Sequence, residues 1–267
     1  MSRLQGTFLK ASGEGRTALV CYLMAGVPDP QRFVEFGRAC LEGGADVLEV
    51  GIPFSDPVAD GTVIQEAGVR ALENGVTPPK VLEMVRELRR STERPIVLMG
   101  YYNPIFRRGE GRFVREALEA GADGLIVPDL PLHESAGLRA ECKDQGLDLV
   151  QLSTPLTPAE RQRSLMQATS GFLYLVTRTG VTGASMGIGE QLGRMVHEAR
   201  SIDPGVPLAA GFGISGPEQV RLARAAGVDG VIVGSALVAM TLNGNVPRDV
   251  REKVKDLARA CRGPPMI

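Results

Sequence analysis

Glu49 stands inside the apolar run Val47-Leu48-Glu49-Val50. Burying a lone charge costs several kcal/mol unless it is paired or neutralised. A desolvated glutamate has a raised pKa, which suits it to move protons near neutral pH. The competing reading is a structural ion pair with a neighbouring strand. The loop that follows, Ile52 to Gly61, brings Asp56 and Asp60 within reach of the same place. Alone, each is equally a turn former or cap, Asp60 for a helix beginning near Thr62. With Glu49 they offer carboxylates in different surroundings, a common source of acid/base division of labour.

A second set of residues suits an anion. Gly211-Phe212-Gly213-Ile214-Ser215-Gly216 and Gly234-Ser235 end two short apolar runs near the C terminus. Glycines let the backbone approach a phosphate and offer N–H donors without a counter-charge. Gly180-Val181-Thr182-Gly183 could add further N–H groups. The alternative is that these glycines only make tight turns. Gly211, Gly213 and Gly216 also spell GxGxxG, but a dinucleotide site needs an acid at the end of the next strand. Here that strand ends in Gly234-Ser235, so a nicotinamide cofactor is excluded. Tyr101, Tyr102, Asn103, Asp129, Ser153, Thr154 and Tyr174 are further polar candidates, each equally explained by packing. Phe8, Phe33, Phe36, Phe113 and Met195 read as packing residues.

These side chains need a scaffold that brings distant segments to one place. Short apolar runs supply it at Ala18–Leu23, Val47–Val50, Ile96–Met99, Gly124–Val127, Asp148–Leu152, Leu173–Val176, Leu208–Gly211 and Gly230–Val233. They lack polar alternation, as parallel strands buried on both faces do. Helical patterns lie between them, among them Arg32–Glu42, Pro79–Arg90, Phe113–Ala120, Ser135–Asp144 and Pro217–Ala226. Gly44-Ala45-Asp46, Gly121-Ala122-Asp123 and Gly227-Val228-Asp229 each introduce a strand, with a weaker echo in Gly146-Leu147-Asp148. A repeated glycine that ends a helix, then a turn, then a strand, marks one βα unit used several times. Eight such strands in 267 residues predict an α/β fold, a (β/α)8 TIM barrel. The whole chain, 1–267, reads as a single domain with an N-terminal extension and an extra helix after strand 2. In such a barrel the chemistry sits where strands end and βα loops begin, and the loops after strands 7 and 8 commonly hold a phosphate.

Composition narrows the partners. Lys+Arg is 30 and Asp+Glu 31, a formal net charge of −1, which gives no electrostatic footprint for nucleic acid or an acidic membrane. Four cysteines, Cys21, Cys40, Cys142 and Cys261, are scattered without a CxxC pair, and His133 and His197 form no HExxH. A zinc framework, a disulfide scaffold and any metal site are therefore not expected. The thiols read as reduced. Residues Met1 to Arg16 contain no signal-peptide core, and the uncharged run Gly230–Pro247 is too short in its apolar part to span a bilayer. The expectation is a cytoplasmic protein.

The block Leu48-Glu49-Val50-Gly51-Ile52-Pro53-Phe54-Ser55-Asp56-Pro57-Val58-Ala59-Asp60-Gly61 resembles the signature of the tryptophan synthase alpha chain family. The resemblance continues in Tyr22-Leu23-Met24-Ala25-Gly26, Met99-Gly100-Tyr101-Tyr102-Asn103-Pro104 and Val127-Pro128-Asp129-Leu130-Pro131. It runs on through Arg178-Thr179-Gly180-Val181-Thr182-Gly183 and Gly211-Phe212-Gly213-Ile214-Ser215, so it covers nearly the whole chain. It implies retro-aldol cleavage of indole-3-glycerol phosphate to indole and glyceraldehyde 3-phosphate, with no cofactor in this chain. By the same resemblance Glu49 is the general acid/base, Asp60 accepts from the indole N–H, and Tyr174 lies close to the reacting centre. Gly183, Gly213, Gly234 and Ser235 match a phosphate cradle, and Tyr22, Leu125 and Phe212 apolar walls against the indole. Asp56 and Pro57 match a segment that meets a beta chain carrying pyridoxal phosphate, in an α2β2 assembly, and that loop closes with Thr182 over the substrate.

The chain departs from the expected pattern at Cys21 and Thr62, where proline is usual, and at Ser185-Met186, a stretch that often carries arginine. None of these removes a reacting group. Three rivals share parts of the pattern. Another phosphate-substrate barrel has no reason to hold Glu49 and Asp60 together. A non-catalytic regulatory subunit has no need of buried carboxylates. A stand-alone indole-producing lyase differs only in turning over without a partner.

Overall fold

The computed structural model describes residues 1–177, 188–211 and 213–263. Eight parallel strands close into a barrel in sequence order. They are β1 (Ala18–Met24), β2 (Val47–Gly51), β3 (Ile96–Met99), β4 (Gly124–Ile126), β5 (Asp148–Ser153), β6 (Leu173–Val176), β7 (Leu208–Gly211) and β8 (Gly230–Val233). The predicted runs match these within a residue at each end, β4 stopping one short of Val127. Alternate residues face the barrel interior and the outer helices, and both environments are apolar. That is why no polar period shows in the sequence.

The chain is built largely of helices following strands. Ahead of β1, α1 (Arg3–Gly13) is the expected N-terminal extension, and it plugs the N-terminal end of the barrel. Its Leu4, Phe8 and Ala11 are buried. Phe8 lies against Gly230 and Leu4 against Gly124 and Gly171, glycines that leave room for those side chains. After β1 comes α2 (Pro30–Gly43), capped by Asp29, whose carboxylate accepts from Arg32 N–H at 2.9 Å. After β2 come both α3 (Thr62–Glu73) and α4 (Pro78–Arg89), the extra helix predicted there. The remaining helices are α5 (Tyr102–Arg108), α6 (Glu110–Ala120), α7 (Ala136–Gln145), α8 (Ala159–Ala168), α9 (Ile188–Ile202), α10 (Pro217–Ala225), α11 (Ser235–Leu242) and α12 (Pro247–Ala260).

The repeated Gly-x-Asp joint has a physical basis. Its glycines end helices at positive φ, for example 93° at Gly121. Its aspartates pair with the start of the preceding strand by two hydrogen bonds. Asp123 N–H donates to Ile96 O at 2.7 Å, and Ile96 N–H donates to the Asp123 carboxylate at 2.8 Å. Asp46 makes the same pair with Leu19, and Asp229 with Leu208. An arginine clamps each carboxylate: Arg16 on Asp46, Arg89 on Asp123 and Arg200 on Asp229. Three strands thus have an N–H of their first two residues satisfied by a carboxylate from the next βα joint. Asp123→Ala removes both the strand cap and the partner of a mostly buried Arg89. We expect a loss of about 2–4 kcal/mol of stability, read as a Tm lower by about 5–10 °C, with kcat unchanged.

All four cysteines are buried and none is in a disulfide. Among the described residues no helix is long and apolar enough to cross a membrane.

Candidate active site

At the C-terminal end of the barrel a cavity of about 520 Å³ opens between the β2–α3 loop and the ends of β6, β7 and β8. That is within the range of small-ligand sites, roughly 300–1,000 Å³. Its floor carries Glu49, which is 1% exposed. Strand register puts Glu49 level with Tyr22 of β1 and Val97 of β3, all facing inward. Its Oε2 is buried and makes no hydrogen bond among the described residues. The structural ion pair considered for Glu49 is absent among them. An unpaired carboxylate in such a place is costly to the fold, and buried perturbed groups in clefts are candidates for chemistry.

Asp60 lies in the same cavity, at the end of the β2–α3 loop. It does not cap α3, whose N-cap is Gly61 and has no side-chain hydrogen bond. The backbone of the loop is tied down instead, by Asp60 N–H to Pro57 O at 3.1 Å and by Gln65 Nε2 to Asp60 O at 2.9 Å. That leaves the carboxylate to the cavity, with the Tyr101 hydroxyl, which accepts from the adjacent Ala59 N–H, close enough to favour its charge. Asp56 and Pro57 are on the outer turn of this loop, where Ser55 Oγ donates to Asp56 at 2.5 Å and the neighbouring Val58 is 84% exposed.

The two carboxylates titrate apart. Burial, then the negative charge of Asp60, pushes Glu49 up to about 8. Burial raises Asp60 only to about 6, because the Tyr101 hydrogen bond pulls it back. Near pH 7 Glu49 therefore holds a proton and Asp60 is ionised. Tyr22 and Tyr174 flank them, both phenols held well above their ordinary range by burial and then by the two carboxylates. Each ring is admitted by a glycine on the next strand. A Cβ on Gly51 would come within 2.2 Å of Tyr22 Oη, and one on Gly211 within 2.2 Å of Tyr174 Oη.

On the far side, Gly213 and the Gly234-Ser235 pair border the cavity. Gly213 has φ 97°, a left-handed conformation that favours glycine. Gly234 is the N-cap of α11 and Ser235 its first residue. The N–H groups and dipole of a helix start favour negative charge at this end of the cavity. Thr182, Gly183 and Phe212 lie outside the described residues, as do Gly180, Val181, Ser185 and Met186.

Leu125 is not a wall of this cavity. It pairs with Leu98 and Leu149, a row out of phase with the inward one, and so faces the helices. Ile126 pairs with Met99, which lines the cavity, and takes the inward place. Met99 and Ile232 are further walls that sequence reasoning missed. Of the other polar candidates, Asp129 accepts from Tyr102 N–H at 2.8 Å, and Asn103 is exposed on α5. Ser153 is hydrogen-bonded to buried Gln162 of α8, and Thr154 to Thr157 in a local turn. Among the described residues no group of three or more His, Cys, Asp or Glu side chains is arranged to hold a metal ion.

Residues 8–263 match the family model described as tryptophan synthase alpha chain. The tryptophan synthase alpha chain of Prochlorococcus marinus is 48% identical over 88% of this chain and 85% of its own length. That of Methanosarcina barkeri is 44% identical over 94% of this chain and 92% of its own. The crystal structure of tryptophan synthase subunit alpha from Legionella pneumophila superposes with a TM-score of 0.88 at 35% identity, covering 98% of each chain.

Proposed function

Because this chain belongs to the tryptophan synthase alpha chain family, we propose that Glu49 and Asp60 are the groups that carry its reaction. The protein is a carbon–carbon lyase of tryptophan biosynthesis, cleaving indole-3-glycerol phosphate to indole and glyceraldehyde 3-phosphate. The observation that carries the residue assignment is the pair of carboxylates in one cavity, one protonated and one ionised near neutral pH.

Glu49 gives its proton to the ring carbon that bears the glycerol chain. The ring nitrogen becomes positive, and Asp60 accepts a hydrogen bond from its N–H and stabilises that charge. The carbon–carbon bond then breaks, its electrons returning to the ring. The hydroxyl on the departing carbon becomes the aldehyde, and its proton goes to the now ionised Glu49, which ends as it began. Tyr174 lies beside the reacting centre and Tyr22, with Ile126 in place of Leu125, against the indole. Gly213, Gly234 and Ser235, with Gly183, hold the phosphate.

We take the whole chain as one barrel domain acting in the cytoplasm without a cofactor of its own. A beta chain is its partner, and we place pyridoxal phosphate there, in an α2β2 assembly. Exposed Asp56 and Val58, with half-buried Pro57 between them, lie on the β2–α3 loop, where we place the docking of that subunit. Indole release from indole-3-glycerol phosphate, with and without a beta chain, tests this reading. Slow release alone and fast release with the partner is the expected result. Fast release alone makes the chain a stand-alone lyase, and no release in either case removes the assignment.

The phosphate site has a test of its own. Ser235→Glu puts a negative charge at the first residue of α11, where an acid suits the helix dipole. Stability holds, while the added charge repels a phosphate. Binding of glycerol phosphate, followed by calorimetry, weakens at least tenfold, and unchanged binding would move the phosphate elsewhere.

A further inference from the structure

Tyr101 follows β3 and is the N-cap of α5, where its backbone is extended. It is 5% exposed, and its ring stacks on Phe54 of the β2–α3 loop with centroids 5.2 Å apart and planes at 27°. Its hydroxyl accepts from Ala59 N–H at 3.0 Å. A phenol that accepts one hydrogen bond still has its own proton to donate, and the neighbouring acceptor is the Asp60 carboxylate. Tyr101 therefore touches the loop at Phe54 and at Ala59, the residue before Asp60. The next residue is held in turn, Tyr102 N–H by Asp129 of the β4 end at 2.8 Å and Tyr102 Oη by Glu110 at 2.8 Å. The start of α5 is thus fixed from the side opposite the loop.

We propose that Tyr101 is a positioning residue for the cleavage reaction: its hydroxyl, seated on the Ala59 N–H, donates to Asp60 and aims that carboxylate into the barrel. The inference rests on the reading of Asp60 given above and adds the group that holds it. A carboxylate at the end of a loop is otherwise free to rotate toward solvent. A donor on the adjacent strand end removes that freedom and favours the ionised form, which is the form able to accept from an indole N–H. The other titratable groups facing Asp60 are Glu49 on β2, Tyr22 on β1 and Tyr174 on β6. Asp129 adds negative charge near Tyr101. Burial disfavours an ionised Asp60, and the Tyr101 hydroxyl opposes it.

Tyr101→Phe keeps the ring on Phe54 and removes only the hydroxyl. Measured on the full chain, with and without a beta chain, kcat/KM for indole release falls about ten- to hundredfold. The acid limb of the pH profile moves up by about one unit, because Asp60 loses the donor that favours its charge. Glycerol phosphate binding stays as in the unaltered protein. A general packing defect would lower the rate at every pH without moving the limb. In Tyr101→Phe/Asp60→Asn the two losses do not multiply, since the hydroxyl acts through the carboxylate. Wild-type rate and an unmoved acid limb in Tyr101→Phe, with Asp60→Asn inactive, overturn this inference alone. An inactive unaltered protein, or an Asp60→Asn variant of full activity, overturns the reading of the site beneath it.

Discussion

Glu49→Gln lowers kcat for indole release by about 10²–10⁴-fold, the range expected when a general acid/base is removed. Gln has the size of a protonated glutamate and can still donate a hydrogen bond, so the cavity keeps its shape and glycerol phosphate still binds. The loss therefore falls on kcat and not on KM. Retained activity in this variant would show that another group moves the proton, and the orphaned Oε2 would then be without a role.

The same variant has an opposite effect on stability. Glu49 has a pKa of about 8 in the folded chain against 4.5 in the reference state. Between those values the unfolded chain releases a proton that the native barrel retains. Stability from this group is full below about 4.5 and is lost as pH rises through about 8. A shift of this size corresponds to roughly 5 kcal/mol at most. Glu49→Gln has no such proton to lose. Its urea midpoint should fall less between pH 5 and pH 8 than that of the unaltered protein, so the variant is the more stable of the two on the alkaline side. A more active but less stable wild type is the pattern of a site whose buried charge serves function at the cost of the fold.

The strands were legible because parallel barrel strands are unbroken apolar runs with glycines at their joints, and those features depend only on local sequence. The carboxylates were legible because an acid between Leu48 and Val50 conflicts with its neighbours. Leu125 went wrong by one residue, and in a strand one residue is a change of face. The repeated joint carried the needed register. Counting from its aspartate, Asp46 leads to Glu49, Asp229 to Ile232 and Asp123 to Ile126, which all face inward. The roles of Gly51 and Gly211 depended on tyrosines of other strands, Tyr22 and Tyr174. The Tyr101–Asp60 contact joins residues on different loops, and only closure of the barrel brings them together. Such pairings leave no local pattern to read.

Asp60→Asn separates two ways in which a carboxylate can serve its neighbour. Asp60 raises the pKa of Glu49 through its negative charge. The asparagine variant removes that charge, so Glu49 ionises at lower pH and the alkaline limb of the rate profile moves down. If this were the whole function of Asp60, full activity would return at a pH low enough to protonate Glu49 again. If Asp60 also accepts from the indole N–H as the ring nitrogen becomes positive, no pH restores it, because a neutral amide cannot balance the developing charge. We expect the second outcome, a loss of about 10²–10³-fold in kcat that persists across the profile, with glycerol phosphate binding intact. The acid limb should disappear in the variant as well, since the group titrating near 6 is gone. Full recovery at low pH would reduce Asp60 to an electrostatic tuner of Glu49. A surviving acid limb would assign that titration to a group other than Asp60.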